Sequence, residues 1–329
     1  MSDTTNNNYK IIEVSKEDNN QRLDKWLAKS FNNINTSIAQ KLIRTGQIKV
    51  DGKKVKYNHV LLEGQSVRVP TDSISNINLD KKIVKTIDPL KYKNEIQKLV
   101  DAVIYKDDNL VILNKPSGVP VQGGSKVTFN VTVAFADLRF GLENNPFIVH
   151  RIDKETSGIL ILARNKQAAQ YMFDVFKEKK ITKTYICLVH PFIAKKYNNI
   201  GFEGRISAPL LKAGNINMEG IVIDEQGKEA ISDYKVLDYK NNIGLMEVKP
   251  LTGRTHQIRV HMSEYLGNPI IGDFKYGATP LKEKNFNHRK MYLHAQKIEF
   301  ISVEGKEISI TAPFDSDFKG ALEEFGFNN

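Results

Sequence analysis

The chain of 329 residues carries 48 lysines and arginines against 38 aspartates and glutamates, a formal charge of +10, and is 40% hydrophobic and 26% charged. That balance excludes wholesale disorder, suits about two globular domains and favours a polyanionic partner. No apolar run approaches the ~20 residues of a membrane helix, the polar start MSDTTNNNYK lacks the apolar core of a secretion signal, and a single cysteine, Cys187, excludes a disulfide framework or a zinc site built on several thiolates; a cytoplasmic protein is expected.

Residues 1–20 read as a flexible N-terminal segment. Between residues 20 and 70 ten basic side chains, among them Arg22, Lys25, Lys41, Arg44, Lys49, Lys53 and Lys54, stand against Asp24, Asp51 and Glu63, a local balance of +7. Leu23, Trp26, Leu27 and Phe31 recur at helical spacing. Ser37 followed by Gln40 has the spacing of a capping box opening a second helix, with Ile38, Leu42 and Ile43 on one side and Gly46 at its end. Asp51 and Gly52 suit a tight hairpin between IKV and KKV, and SVRV at Ser66 reads as a further strand. Such a unit, basic on its polar faces, can meet phosphates, and the seven named cations are the candidate contacts. The segments QRLDKWL, SIAQKLIRTGQIKVDGKKVK and LLEGQSVRVP resemble, over residues 21–70, the small α/β RNA-binding module first described in a small-subunit ribosomal protein, also called the alpha-L motif. The resemblance implies RNA binding and no reaction.

Residues 71–100 read as a linker with a short helix near Glu95 to Val100. From Val103 short apolar runs alternate with turns: LVILN, ILILA, TYICLV, ISDYKVLDY, GLMEVKP and EISITA, with a helical stretch bearing Ala169, Met172, Phe173 and Phe176. Residues 101–329 are therefore expected to form an α+β domain on a mixed, largely antiparallel sheet. Cys187, inside KTYICLV, reads as a small core residue.

Several chemistries fail on spacing. The Gly118 to Gly123 loop lacks the lysine of a phosphate loop, and neither G-x-S-x-G nor H-E-x-x-H occurs. His256 and His261, five apart, would point to different sides of a helix, so no metal is expected. Two polar clusters remain. In HRIDKETSGILILA, Asp153 stands with Arg151, Thr156, Ser157 and Gly158 in a loop that runs into an aliphatic strand; alone, such an aspartate reads as a turn or cap. In TGRTHQIRVHMSEYLG, Thr255 can cap a helix whose apolar side is Ile258, Met262, Tyr265 and Leu266, placing His256 and Arg259 one turn apart on another side. Arg254, Arg259 and the two histidines together require an anionic partner, a phosphate or a carboxylate.

The segments HRIDKETSG, NKPSGVPVQGG, KTYICLV and GRTHQIRVHM, followed by G-x-P-I-x-G-D, resemble the pseudouridine synthases of the ribosomal large-subunit family over residues 101–315, and the V-Q-G-G-S stretch favours the family's C branch over its D branch. The resemblance implies that Asp153 is the essential nucleophile or base and that Tyr185 stacks near the uracil and handles its proton. It implies further that Arg259 pairs with the aspartate, that Arg151 braces the RNA where the base leaves the stack, and that Ile258 packs beneath it. Arg254 and His256 become candidate RNA contacts. The implied activity is site-specific conversion of uridine to pseudouridine in large-subunit (23S) ribosomal RNA or its precursor, by a monomer, without metal or cofactor. Two other readings stand against it. A non-catalytic assembly factor on the same scaffold would not need Asp153, Tyr185 and Arg259 together, and a two-metal hydrolase would need convergent carboxylates that the motifs lack.

Overall fold

The computed structural model describes residues 9–31, 34, 36–71, 89–123, 129–192, 199–213, 220–281 and 290–327, and the chain divides into two units, Met1–Thr86 and Ile87–Asn329.

In the first unit the 3.6-residue period is realised as α1 (Leu23–Ser30) and α2 (Thr36–Arg44). Leu23, Trp26 and Leu27 from α1 and Ala39, Leu42 and Ile43 from α2 share a core with Ile48, Leu61, Val67 and Val69. A three-stranded sheet in the order β1 (Tyr9–Glu13), β3 (Ser66–Pro70), β2 (Lys49–Val50) closes it. Asp51 and Gly52 both take left-handed backbone, which makes the tight turn, but its far arm is reduced to one bridge between Val50 and Lys53. Two expectations change here. Residues 9–13 are a strand paired with β3 from Tyr9↔Pro70 to Glu13↔Ser66, and Val14 is buried, so the module starts before residue 21. Gln40 belongs to no capping box: α2 starts ahead of Ser37, and the Gln40 amide donates to buried Asp24 at 2.8 Å, tying α2 to α1.

The second unit begins with the helix expected inside the linker. α3 (Lys93–Asp101) buries Ile96 and Leu99 against Leu113, Leu138, Leu160 and Leu162, so it is part of this unit's core; residues 72–88 of the expected linker lie outside the described residues. The main sheet runs in the order β4 (Val103–Lys106), β5 (Leu110–Lys115), β7 (Ser157–Ala163), β14 (Leu293–Ile301), β8 (Ile181–Val189), β13 (Ile243–Pro250), β12 (Ile231–Lys240), β9 (Glu203–Ser207), with β15 (Glu307–Thr311) on β14 and β6 (Phe147–Ile148) on β7. A separate two-stranded sheet pairs β10 (Leu210–Lys212) with β11 (Ile221–Ile223). Among the described pairings in the main sheet β7 with β14 is the parallel one, which makes the sheet mixed and largely antiparallel.

β7 explains why its sequence is an unbroken apolar run. Ile159 and Ile161 pack with α4 (Lys166–Lys177), while Leu160 and Leu162 pack with α3 on the opposite face, so the strand is buried on both sides. Truncating Ile161 to alanine would cost roughly 2–5 kcal/mol through the void it leaves. On β8, Cys187 is buried in the core, where burial pushes its thiol up to about 12. A last helix, Ser316–Glu324, covers Ile186, Leu188 and Tyr292 with Phe318, Ala321 and Leu322.

Candidate active site

Asp153 lies in the loop that enters β7, and this loop is braced from three sides. The Thr156 N–H donates to the Asp153 carbonyl at 3.2 Å, which closes the turn. From β5, fully buried Lys115 donates through Nζ to the carbonyls of Pro116, Val119 and Lys154 at 2.9, 2.8 and 3.1 Å, while the Ser117 hydroxyl and Gly118 N–H donate to Glu155 and Lys154 at 2.7 and 2.9 Å. The K-P-S-G segment thus staples the Asp153 loop to the sheet. Burial lowers the Lys115 ammonium to about 7, although its three acceptors match three N–H bonds. His150 Nε2 accepts from the Ile161 N–H at 2.8 Å, its ring stacks on Phe176, and burial lowers its pKa to about 3, so it is a neutral prop. Buried His294 donates from Nε2 to the Ala312 carbonyl at 3.2 Å, which leaves Nδ1 to accept from the Ser157 hydroxyl at 2.9 Å. Gly158 follows with φ +101°, and a Cβ there would stand 2.3 Å from the Ala295 carbonyl oxygen of β14.

The second cluster folds differently from expectation. Gln257 is the keystone: its Oε1 accepts from Thr252 Oγ1 at 2.7 Å and the Arg254 N–H at 3.0 Å, and its Nε2 donates to the Ile231 carbonyl and Ser232 Oγ, both at 2.9 Å. No side-chain cap from Thr255 is made, because His256 takes a left-handed conformation (φ 55°, ψ 19°) and precedes the short helix Gln257–Val260. A wide π-type turn, His261–Tyr265, follows; Ile258, Met262 and Leu266 enter the core, whereas Tyr265 is 52% exposed. His261 is buried between Ser232 Oγ and the Ala208 carbonyl and has no part in the anionic site.

That left-handed bend brings His256 and Arg259 to one oxygen of Asp153. Arg259 Nη1 donates to Asp153 Oδ2 at 3.2 Å, and His256 Nε2 lies 3.9 Å from the same atom. Arg259 is held chiefly by Asp273, with Nε and Nη2 each donating at 2.7 Å, and its guanidinium sits 4.9 Å over the Tyr276 ring. Burial works against the charge on Arg259, but the Asp273 and Asp153 carboxylates outweigh it and hold its pKa above the ordinary value. Asp273 is presented by Gly272, whose φ of +81° and close approach to the Lys290 carbonyl leave no room for a Cβ. His256 Nδ1 lies 2.6 Å from the Tyr276 hydroxyl.

Asp153, His256 and Arg259 face a cavity of about 870 Å³, lined also by Tyr185, Ile258, Arg151 and Arg254. All seven candidate residues of this unit are therefore brought together. Asp153 keeps 26% of its side chain exposed to the cavity. Tyr185 sits on the floor between two core clusters, and burial, with the Asp153 charge beside it, raises its phenol above the ordinary value, so it is neutral and can donate a proton but not take one at neutral pH. Arg151 is exposed and makes no hydrogen bond or ion pair among the described residues, while Arg254 Nε donates to the Glu229 carbonyl at 2.8 Å. Lining cations that the sequence patterns did not single out are Lys154, Lys177, Lys179 and Lys183; Lys183 stands two residues from Tyr185 on one strand, hence on its face, and burial lowers it to about 8. Asp273 and Tyr276 were also missed, although Asp273 closes the quoted G-x-P-I-x-G-D segment.

In the first unit Arg22 is forked onto Asp24 at 3.1 and 2.8 Å and so is partly spent. Lys25, Lys41, Arg44, Lys53 and Lys54 are exposed and Lys49 half-exposed, none with an ion-pair partner among the described residues. Lys54 lays its aliphatic stem beside Gly46, just past the end of α2 that carries Lys41 and Arg44.

Residues 109–264 match the family model described as RNA pseudouridylate synthase, and residues 21–67 match the S4 domain. The chain is 35% identical over 323 residues to the ribosomal large subunit pseudouridine synthase C of Buchnera aphidicola subsp. Baizongia pistaciae (strain Bp), covering 95% of this chain and 96% of that one. To the protein of the same description from Haemophilus ducreyi it is 34% identical, covering 97% and 96%. Among solved structures, human RNA Pseudouridylate Synthase Domain Containing 4 superposes with a TM-score of 0.60 at 24% identity, covering 72% of this chain and 97% of that one, which is a likeness of fold.

Proposed function

The chain belongs to the RNA pseudouridylate synthase family, and we propose that it converts uridine to pseudouridine in large-subunit ribosomal RNA, with Asp153 as the reacting carboxylate and C-branch specificity. The observation that carries the reading is the arrangement at Asp153: a carboxylate half-open to a cationic cavity, touched by one N–H of a guanidinium that Asp273 holds in place. A carboxylate bound by both arms of an arginine would be stabilised but occupied. Here a single 3.2 Å contact supplies countercharge and leaves the second oxygen free to react.

The reaction breaks the bond from ribose C1′ to uracil N1, turns the base and joins C1′ to C5, with no net redox change. The target nucleotide must first leave its stack, at a cost of a few kcal/mol. Tyr185 and Ile258 offer the aromatic and apolar floor that receives it, Arg151 at the rim offers a free cation to the strand it leaves, and Lys177, Lys179 and Lys183 line the cavity. The exposed lysines and arginines of the N-terminal module add affinity for the RNA backbone.

Asp153→Asn keeps the shape and removes the reactive charge. It is expected to abolish tritium release from C5-labelled uridine in a ribosomal RNA transcript while leaving transcript affinity nearly intact. Turnover by that variant would remove Asp153 from the chemistry. Mapping pseudouridine in ribosomal RNA with and without the gene assigns the sites.

A further inference from the structure

Tyr276 accepts a hydrogen bond from the Ile221 N–H at 3.1 Å and stands 2.6 Å from His256 Nδ1. Its phenol has one proton to give, the ring is buried, and His256 Nδ1 is the hydrogen-bond acceptor the structure gives that hydroxyl among the described residues. An O–H left unpaired there would cost about 1–3 kcal/mol. The proton therefore points at Nδ1, which makes Nδ1 the acceptor and places the imidazole N–H at Nε2.

That N–H is unspent. It faces the cavity 3.9 Å from Asp153 Oδ2, beyond hydrogen-bond length, while Arg259 already occupies the same oxygen at 3.2 Å. Burial lowers the His256 pKa, with Asp153 pulling the other way, so the ring is a neutral donor rather than a cation. It is aimed by a left-handed backbone that a residue with a Cβ adopts only at a cost, and the four hydrogen bonds of Gln257 hold that conformation.

We infer that His256 donates from Nε2 to the uracil O2 of the flipped nucleotide, and that Tyr276 is the positioning residue that fixes this tautomer. The inference rests on the proposed isomerisation. When the C1′–N1 bond breaks, its electron pair goes to N1 and spreads onto O2 and O4, and O2 is the base acceptor nearest the broken bond. A neutral N–H already in place stabilises that charge without solvent rearrangement. C5 then bonds to C1′, the proton lost from C5 is matched by one gained at N1, and His256 neither gains nor loses a proton. The assignment is the same whichever way Asp153 engages the ribose or the base.

The full-length enzyme on a large-subunit ribosomal RNA transcript provides the test. His256→Ala is expected to lower kcat by ~10²-fold with KM changed by no more than about threefold, as for removal of one donor to developing charge. His256→Gln, which carries an N–H near the position of Nε2, is expected to recover about tenfold of that loss. Ring nitrogen NMR shifts of His256 should show an unprotonated Nδ1 in the wild type and lose that preference in Tyr276→Phe, which also keeps the measurement meaningful if the alanine variant folds poorly. A glutamine variant no better than alanine, a change confined to KM, or a protonated Nδ1 in the wild type would overturn the assignment. Wild-type protein that forms no pseudouridine would instead strike the proposed function, with the nitrogen shifts still deciding the tautomer.

Discussion

In the N-terminal unit Lys25, Lys41, Arg44, Lys53 and Lys54 stand exposed on helices and turns without a carboxylate partner among the described residues, whereas beside Asp153 the residue Arg259 is 7% exposed and touches two carboxylates. An exposed cation attracts a polyanion over a Debye length, is screened by salt, and is replaceable by a neighbour. A buried one has lost its water, needs partners to stay charged, and in return holds one geometry. On the proposed reading the first kind tunes how tightly RNA is held, and the second bears on whether a bond breaks.

The sharpest way to break this comparison is to remove the buried cation. Arg259→Ala leaves Asp153 and Asp273 facing each other without their shared countercharge, and single-turnover pseudouridine formation should fall by more than ~10³-fold. Asp273→Asn should cost less, on the order of tenfold to a hundredfold, because it loosens Arg259 without removing it. If both variants retained wild-type rates, the network would serve the fold alone.

A second test asks whether the neutral histidines around the site behave as buried props. His150 and His294 are lowered by burial to about 3 and about 4, against an ordinary value near 6.5. The unfolded chain therefore binds protons that the folded state refuses, and stability should fall as pH drops from 6.5 towards those values. Each histidine contributes a slope of about 1.4 kcal/mol per pH unit inside its window. Denaturant unfolding of the enzyme between pH 7 and 4 measures this, and His150→Gln, which retains an acceptor for the Ile161 N–H, should flatten the slope. An unchanged slope would mean that His150 titrates normally.

The smallest effect is expected at the exposed charges. Neutralising Lys41, Arg44, Lys53 and Lys54 should lower the salt dependence of log affinity by about 0.7–0.9 for each phosphate no longer neutralised, with kcat unchanged. Identical slopes in variant and wild type would make that surface a solvated face.

What the sequence made legible follows the range of the forces involved. α1 was readable because Leu23, Trp26 and Leu27 satisfy a local period, and β7 because its run is apolar on both faces. β1 was not, since Ile12 and Val14 are the residues of a polar stretch that meet the core. Asp153, His256 and Arg259 stood in dense polar clusters, but the partners that give them meaning did not. Asp273 and Tyr276 sit 14 and 20 residues beyond the side chains they hold, across a bend set by Gln257 and the left-handed His256. Thr255 looked like a cap because its spacing suits one; four hydrogen bonds to Gln257 decided otherwise.

One edge of β7 is paired along its length by β5, but the other is closed in two pieces, by β6 at Leu162 and Ala163 and by β14 at Ser157 and Gly158. The piece beside Asp153 is therefore completed by residues made late: His294, which bonds Ser157, comes 137 positions later in the chain. During translation the Asp153 loop emerges midway, already stapled to β5, and its β14 support arrives only when His294 has been made. The basic module is thus complete well before the Asp153 site, so on the proposed reading the nascent chain can hold RNA before it can modify it.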